Sequence, residues 1–235
     1  MSDYDAIADL YDPWSRTVTE DVGFYVAEAR KARSTVVELG VGTGRIAVPT
    51  AVAGVPVIGV DSSPGMLAVC GRVAEAAGVS HLLDLRLGDL REPPVRERVR
   101  LVTSPFRAFL HLRTDEERRR ALAAVHGLLE PGGRFVFDVF APSREDIEET
   151  HGRWLEREPG IWEMATWDLE RRVLTLRVRG PETETSLDLT WIPNEDWRRL
   201  LEEAGFEVVA CYGWFDLRPY AGGEDSIWLA RRPTP

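Results

Sequence analysis

Four residues at alternate positions, Glu38, Gly40, Gly42 and Gly44, form the stretch of this sequence best suited to chemistry. Glycine has no Cβ, so a turn built from alternate glycines can fold tightly and let a ligand approach the backbone. The β-branched run at 35–37 reads as a buried strand, and the apolar pattern after Gly44 suits a helix. Unpaired N–H groups at that helix start would face anionic or polar ligand atoms. Asp61 ends a second apolar run, 55–60, where a carboxylate can accept from two ribose hydroxyls. The same carboxylate could instead interact with the dipole of the helix that Ser62-Ser63-Pro64 begins. Asp89 follows a third run, 82–87, although Gly88-Asp89 is also ordinary turn chemistry. Dinucleotide enzymes need Gly-x-Gly-x-x-Gly/Ala, and Arg45 occupies the third small-residue position here, which opposes close helix–strand packing over a pyrophosphate.

A second group of candidates lies after a fourth strand, 100–104. The chain leaves it through Ser104-Pro105-Phe106 and reaches His111. A neutral imidazole at that edge could bind an acceptor or take a proton, though a lone histidine is more often structural. His81, His126 and His151 fall on connections or a helix face. No residue grouping has metal-ligand spacing, so no metal site is expected.

The elements that position these residues follow from periodicity. Apolar or aromatic residues at 4, 7, 8 and 11 make one stripe of a short helix that Pro13 should end, and 20–33 reads as a second helix. Ser63 is the expected N-cap of a helix with Pro64 at its first position, a buried face of Met66, Leu67, Cys70, Val73, Ala74 and Ala77, and a stop at Gly78. Thr114-Asp115-Glu116-Glu117 is a capping box whose helix buries Ala121, Leu122, Val125, Leu128 and Leu129, leaving Arg118-Arg119-Arg120 as a solvated face. Pro131-Gly132-Gly133 should break the chain before a fifth strand at 134–140. Beyond 141 the pattern alternates at 161–169, 172–180 and 185–192, reading as antiparallel strands. The tryptophans there (Trp154, Trp162, Trp167, Trp191) could line a pocket or pack a thin layer. A closing helix at 193–204 and an antiparallel pair, 206–213 with 226–231, complete the chain.

At 235 residues the chain is expected to be one domain with ample core. Its net charge of -10 argues against nucleic acid as a partner. Lys31 is the only lysine, which reads as a compositional bias and not as a site. Cys70 and Cys211 lie far apart without a Cys-x-x-Cys, as expected of buried thiols in a reducing cytoplasm. The start Met-Ser-Asp-Tyr-Asp does not read as a signal peptide, and no apolar run has membrane-spanning length. The expectation is a soluble cytoplasmic protein, monomer or homodimer, with no membrane partner.

The string from Glu38 to Gly44 resembles motif I of the class I S-adenosylmethionine-dependent methyltransferases, Glu/Asp-x-Gly-x-Gly-x-Gly, at every fixed position. Asp61, Asp89, the turn Leu128-Leu129-Glu130-Pro131-Gly132-Gly133-Arg134-Phe135 and the terminal hairpin agree with that family in order and spacing. The resemblance implies an α/β, Rossmann-like doubly wound mixed sheet of seven strands, the last antiparallel, with a small antiparallel β insertion before the last helix. It divides the chain into an N-terminal helical arm (1–33), a cofactor-binding core (34–140), an antiparallel lid (141–192), and a closing helix with the terminal hairpin (193–235). It also implies S-adenosylmethionine as cofactor, bordered by Glu38, Gly40, Gly42, Gly44 and Arg45 at motif I. Asp61 and Ser62 would lie at the ribose, Met66, Asp89 and Leu90 at the adenine, and Ser104 and Phe106 on the loop facing the methyl group. Tyr11 matches a tyrosine that lies near the sulfonium in similar methyltransferases, and His111 would serve the acceptor. The expected reaction is methyl transfer to O, N or C of a small-molecule acceptor. Methylases of nucleobase or amide nitrogens carry Asn/Asp-Pro-Pro-aromatic where this chain has Ser104-Pro105-Phe106, which disfavours a macromolecule methylase. An NAD(P)-dependent oxidoreductase and a non-catalytic S-adenosylmethionine-binding relative remain as other readings.

Overall fold

The structure, a computed structural model, describes residues 4–15 and 19–234. Its centre is a seven-stranded sheet: β1 (Val36–Leu39), β2 (Val57–Asp61), β3 (Leu83–Leu87), β4 (Val99–Ser104), β5 (Leu129–Phe140), β10 (Glu207–Tyr212) and β11 (Asp225–Arg231). The order is β3-β2-β1-β4-β5-β11-β10, with β11 antiparallel to both neighbours and the other pairings parallel. Parallel strands need crossovers, supplied by α3 (Ala47–Val52), α4 (Pro64–Ala76) and α5 (Asp115–Leu128). Chain direction away from the middle reverses between β1 and β4, so a crevice opens at their carboxyl ends. Strand β1 is buried along its whole length, as a central parallel strand must be.

A second, four-stranded antiparallel sheet comprises β6 (Trp154–Glu158), β7 (Ile161–Asp168), β8 (Val173–Arg179) and β9 (Glu184–Thr190). Its apolar face joins the main core through Ala165, Leu174, Leu189 and Trp191. Helix α7 (Asn194–Glu203) then packs its buried Trp197, Leu200 and Leu201 on that core.

The arm comprises a 3-10 turn (Asp5–Ile7), α1 (Ala8–Trp14) and α2 (Glu20–Ala32). Asp5 accepts hydrogen bonds from Ser63 Oγ (2.5 Å) and the Gly65 N–H (3.1 Å) at the start of α4. Thr43 Oγ1 donates to Asp12. On the other side Trp14 Nε1 donates to Glu163 of β7 at 2.7 Å, and Thr183 Oγ1 to the Ala6 carbonyl. The arm thus ties the glycine turn and α4 to the second sheet.

Four local expectations are corrected. Helix α1 runs one residue past Pro13, to Trp14, so the proline sits in its last turn and the helix stops directly after it. Arg118 is not solvated: at 3% exposure it continues the stripe 118, 121, 122, 125 and 128. Its guanidinium donates to Asp115 (3.0 Å) and Thr190 Oγ1 (2.9 Å) and lies over the Trp197 ring. In α4 the buried face is Met66, Val69, Cys70 and Ala74, with Val73 and Ala77 exposed. The Pro131-Gly132-Gly133 turn does not precede β5 but bulges within it, since Val99 pairs with Leu129 and Leu101 with Arg134. Helix α6 (Arg144–Thr150) and strand β6, both unexpected, are short and rich in charged residues, so they carry little apolar periodicity.

Candidate active site

The glycine turn emerges from β1 at the floor of a cleft of about 450 Å³. Its three glycines have different reasons to be glycine. A Cβ on Gly40 would meet Ala108 Cβ at 2.7 Å, and one on Gly44 would meet Cys70 Sγ at 2.6 Å, so these two permit close packing of the turn. Gly42, at φ +54°, has nothing within 4 Å of its Cβ position and lines the cleft. Its openness leaves room for a ligand against the backbone.

Asp61 stands across from the turn. Its carboxylate accepts from the Gly42 N–H and the Ser63 N–H, each at 2.8 Å, which fixes the turn against the end of β2. Burial holds this carboxyl above its ordinary range, while the N–H donors of Ser63, Gly42 and Ser62 pull the other way. Ser62 and Met66 also line the cleft, and Met66 packs with Ala8, Val69, Tyr4 and Tyr11. Asp89 and Leu90 form the far wall. Asp89 accepts from the Arg91 backbone (2.7 Å) and guanidinium (2.9 and 2.5 Å), and Arg91 also pairs with Glu117. The Arg91 hydrogen bond, partly opposed by burial, lowers the Asp89 pKa.

Glu38, Gly44, Arg45 and Ser104 do not line the cleft but stand behind it. Glu38, 2% exposed, accepts from the Ala47 N–H at the start of α3, and burial pushes its pKa up to about 8 against the pull of Arg45. Arg45 makes a two-pronged pair with Asp21 of α2 (2.8 and 2.5 Å) and lies 4.4 Å from the Phe106 ring centre. Ser104 Oγ donates to the Leu39 carbonyl at 3.0 Å, locking β4 to β1.

Asp138, in the interior of β5, escaped the sequence reading. It is 6% exposed and accepts from Tyr25 Oη (2.5 Å), the Phe106 N–H (2.9 Å) and the Arg107 N–H (3.1 Å). Phe106 and Arg107 are both left-handed, at φ +53° and +65°, conformations that cost a non-glycine residue roughly 1–3 kcal/mol unless the surroundings impose them. The buried carboxylate imposes them here. Burial in turn pushes the Asp138 pKa up to about 6, against the pull of Tyr25 and Arg107. A lone acid inside Phe135-Val136-Phe137-Asp138-Val139-Phe140 was the signal available in the sequence.

A second cavity of about 300 Å³ lies under the antiparallel sheet, with Trp14, Phe140, Trp167 and Leu189 among its walls. Of the four tryptophans at 154–191, only Trp167 lines it. Tyr4, Tyr11, Phe106 and His111 line both cavities. Tyr4 Oη and His111 Nε2 share a hydrogen bond of 2.8 Å whose donor depends on the imidazole tautomer. The Tyr4 ring meets those of His111 and Tyr11 edge-on, with centres 5.3 and 5.8 Å apart. Among the described residues no cluster of His, Cys, Asp or Glu could hold a metal ion.

An open glycine backbone, an acid at the end of β2 and a second acid at the far wall suit an adenosyl cofactor joined to an amino acid. Comparison with known proteins agrees. The methyltransferase domain family matches residues 36–133. A methyltransferase of Geobacillus kaustophilus is 31% identical over 188 residues, which are 71% of this chain and 81% of that protein. The CcbJ methyltransferase of Streptomyces caelestis superposes with a TM-score of 0.80 at 24% identity, over 92% of this chain and 97% of that one. CalS10 of Micromonospora echinaspora, an amino pentose methyltransferase solved with S-adenosylmethionine bound, superposes with a TM-score of 0.67 at 22% identity, over 95% of each chain. With motif I, the strand order and these relatives in agreement, the chain belongs to the class I S-adenosylmethionine-dependent methyltransferases.

Proposed function

We propose that this chain transfers the methyl group of S-adenosylmethionine to a basic nitrogen of a small-molecule acceptor held under the antiparallel sheet. The observation that carries the reading is the second cavity, joined to the cofactor cleft through four shared rings. A space of about 300 Å³ suits a small molecule. The net charge of -10 gives no support to a nucleic-acid acceptor. The preference for nitrogen rests on charge. Asp146 of α6 and Glu224 line the cavity and are hydrogen-bonded to each other, and burial, then Glu224, pushes the Asp146 pKa up to about 6. A cationic group can replace the proton that such a pair shares, and the Trp167 ring suits a cation as well, whereas the Phe140 face already holds the Arg107 guanidinium. The amino pentose methyltransferase CalS10, a fold neighbour, supports the same class.

In this reading Gly42 and Asp61 hold the cofactor, Asp89 marks its adenine end, and residues 141–192 with the arm exclude water from the acceptor. The bound cofactor supplies a methyl group already attached to a cationic leaving group, so the protein acts mainly by alignment and by exclusion of water. We place the reaction in the cytoplasm, a location supported by the unpaired Cys70 and Cys211. No described helix is long and apolar enough to cross a membrane.

The test is release of S-adenosylhomocysteine in the presence of matched amines and alcohols, including amino sugars and their hydroxyl counterparts. Turnover should appear with amines and fall by about 10²-fold or more with the alcohols. Turnover confined to alcohols would refute the nitrogen assignment. Cofactor binding without turnover on any acceptor would favour a non-catalytic relative, and retention of a nicotinamide cofactor on purification an oxidoreductase.

A further inference from the structure

The cavity under the antiparallel sheet carries more polar groups than a plain amine would use, and most of them are committed to one another. Glu163 takes Trp14 Nε1 on one oxygen (2.7 Å) and Arg157 on the other (2.7 and 3.2 Å). Thr150 Oγ1 donates to the Asp146 carbonyl (2.6 Å) and accepts from Trp167 Nε1 (2.9 Å). Ser15 is different. It is 6% exposed, stands in the wall of the same cavity, and its buried Oγ has no hydrogen-bond partner among the described residues. A hydroxyl buried without a partner is unfavourable, and folded proteins rarely leave one. The backbone here is fixed, since the Ser15 N–H donates to the Tyr11 carbonyl at 2.8 Å and closes the last turn of α1. Residues four apart share a helix face, with roughly 5–6 Å between their Cβ atoms. Ser15 therefore stands one turn along from Tyr11, whose ring lines both cavities. The hydroxyl turns about a single χ angle among three staggered positions, so it can meet a ligand atom without backbone movement.

We propose that Ser15 is a specificity-determining residue whose hydroxyl hydrogen-bonds a hydroxyl of the acceptor, so that the substrate is an amino alcohol and not a plain amine. The inference rests on the methyl-transfer reading and names the second group by which the cavity recognises its acceptor. Asp146 and Glu224 take the cationic group, and Ser15 takes the neutral one. A serine oxygen both donates and accepts, as an alcohol does, and carries no charge. The two arginines in the cavity walls, Arg107 and Arg157, are paired with Asp225 and Glu163, which disfavours an anionic group in the same place. An acceptor without a hydroxyl would leave Ser15 as unpaired as it is in the free protein, whereas a hydroxyl that fills the bond adds to affinity. A site built to bond a hydroxyl also rejects the analogue lacking it more sharply than an apolar wall does.

The test uses small probes on protein saturated with S-adenosylhomocysteine, so that binding is read without turnover. Calorimetric titration compares cyclohexylamine with the isomeric aminocyclohexanols, which add one hydroxyl at different distances from the nitrogen. At least one aminocyclohexanol should bind wild type about tenfold more tightly than cyclohexylamine, the gain expected from one hydrogen bond to a buried group. Ser15→Ala should erase that preference, chiefly by weakening the aminocyclohexanol. With S-adenosylmethionine as cofactor, the loss should fall on the KM of the aminocyclohexanol and leave kcat nearly unchanged. The variant should keep its S-adenosylhomocysteine affinity within about twofold of wild type. Its Tm should not fall, because the free protein has no Ser15 side-chain bond to lose. A merely structural serine would lower Tm and weaken both kinds of amine alike, and that result would overturn the proposal. So would a Ser15→Ala variant that keeps the preference. A wild type that binds cyclohexylamine and every aminocyclohexanol equally would also overturn it, while leaving the methyl-transfer reading in place. A wild type that takes up neither kind of amine, or no S-adenosylhomocysteine, would refute that reading and this inference with it.

Discussion

Replacing Asp138 by asparagine changes one atom, yet it should loosen the loop whose Phe106 lines both cavities. One carboxylate oxygen accepts from Tyr25 and Phe106, the other from Arg107. An amide has one carbonyl oxygen, so its NH2 group must face a donor. Leaving a buried N–H unpaired costs about 1–3 kcal/mol. For a domain of this size that corresponds to a fall in Tm of roughly 2–10 °C. A pH series separates this loss from generic damage. The Asp138 pKa is raised from 3.8 to about 6. The folded state therefore holds the extra proton between about pH 4 and 6, and this carboxyl's contribution to stability increases as pH falls through 6. Linkage puts the gain from pH 7 to pH 5 at about 1 kcal/mol, and Asp138→Asn cannot make it. The stability deficit of the variant, measured by thermal or urea unfolding, should thus widen by about 1 kcal/mol between pH 7 and pH 5. A deficit that stays constant or narrows with falling pH would refute the role given to this carboxylate. So would a variant as stable as wild type at pH 7.

Two further substitutions separate site from scaffold. Gly42 and Gly54 are both left-handed with open space around the Cβ position, but only Gly42 lines the cleft. Gly42→Ala and Gly54→Ala should cost similar stability, about 1 kcal/mol each, while only Gly42→Ala weakens S-adenosylhomocysteine in a calorimetric titration. Equal affinities would remove the turn from the site. Arg118→Ala should destabilise by about 2–4 kcal/mol in urea unfolding, because it strips a buried guanidinium from Asp115 and Thr190. Arg119→Ala, whose side chain pairs with Glu203 at the surface, should change stability by less than about 1 kcal/mol.

The first three parallel strands were legible because each carries a short apolar or β-branched run followed by glycine or an acid, whereas the order of the sheet rested on the family resemblance. Motif I and Asp61 were legible for the same reason: tight turns and strand-end carboxylates leave local marks. Arg118 was misread because a charged residue on a helix stripe counts as polar in any periodicity, although its stem can pack and its head can pair. The bulge at Pro131-Gly132-Gly133 was misread because a strand interrupted by a turn looks, from composition alone, like a strand that begins after it. Tyr4, Asp138, Asp146 and Glu224 matter through neighbours far along the chain. Tyr4 meets His111 and Asp138 meets Tyr25, each across more than a hundred positions, and no local pattern encodes such pairs. Glu38 and Arg45 sit inside the motif and yet hold scaffold, one at the start of α3 and the other on Asp21.

In the proposed reaction an adenosyl cofactor lies across Gly42 with its ribose on Asp61. Calorimetric titration of S-adenosylhomocysteine into wild type and Asp61→Ala, with Tm measured on both, tests it most directly. Two charge-assisted hydrogen bonds from the ribose hydroxyls, about 1.5–3 kcal/mol each, are at stake. Wild type should bind one equivalent per chain, and Asp61→Ala should bind about 10²- to 10⁴-fold more weakly while still unfolding cooperatively. Equal affinity in a folded Asp61→Ala, or a wild type that takes up no S-adenosylhomocysteine at millimolar concentration, would contradict it.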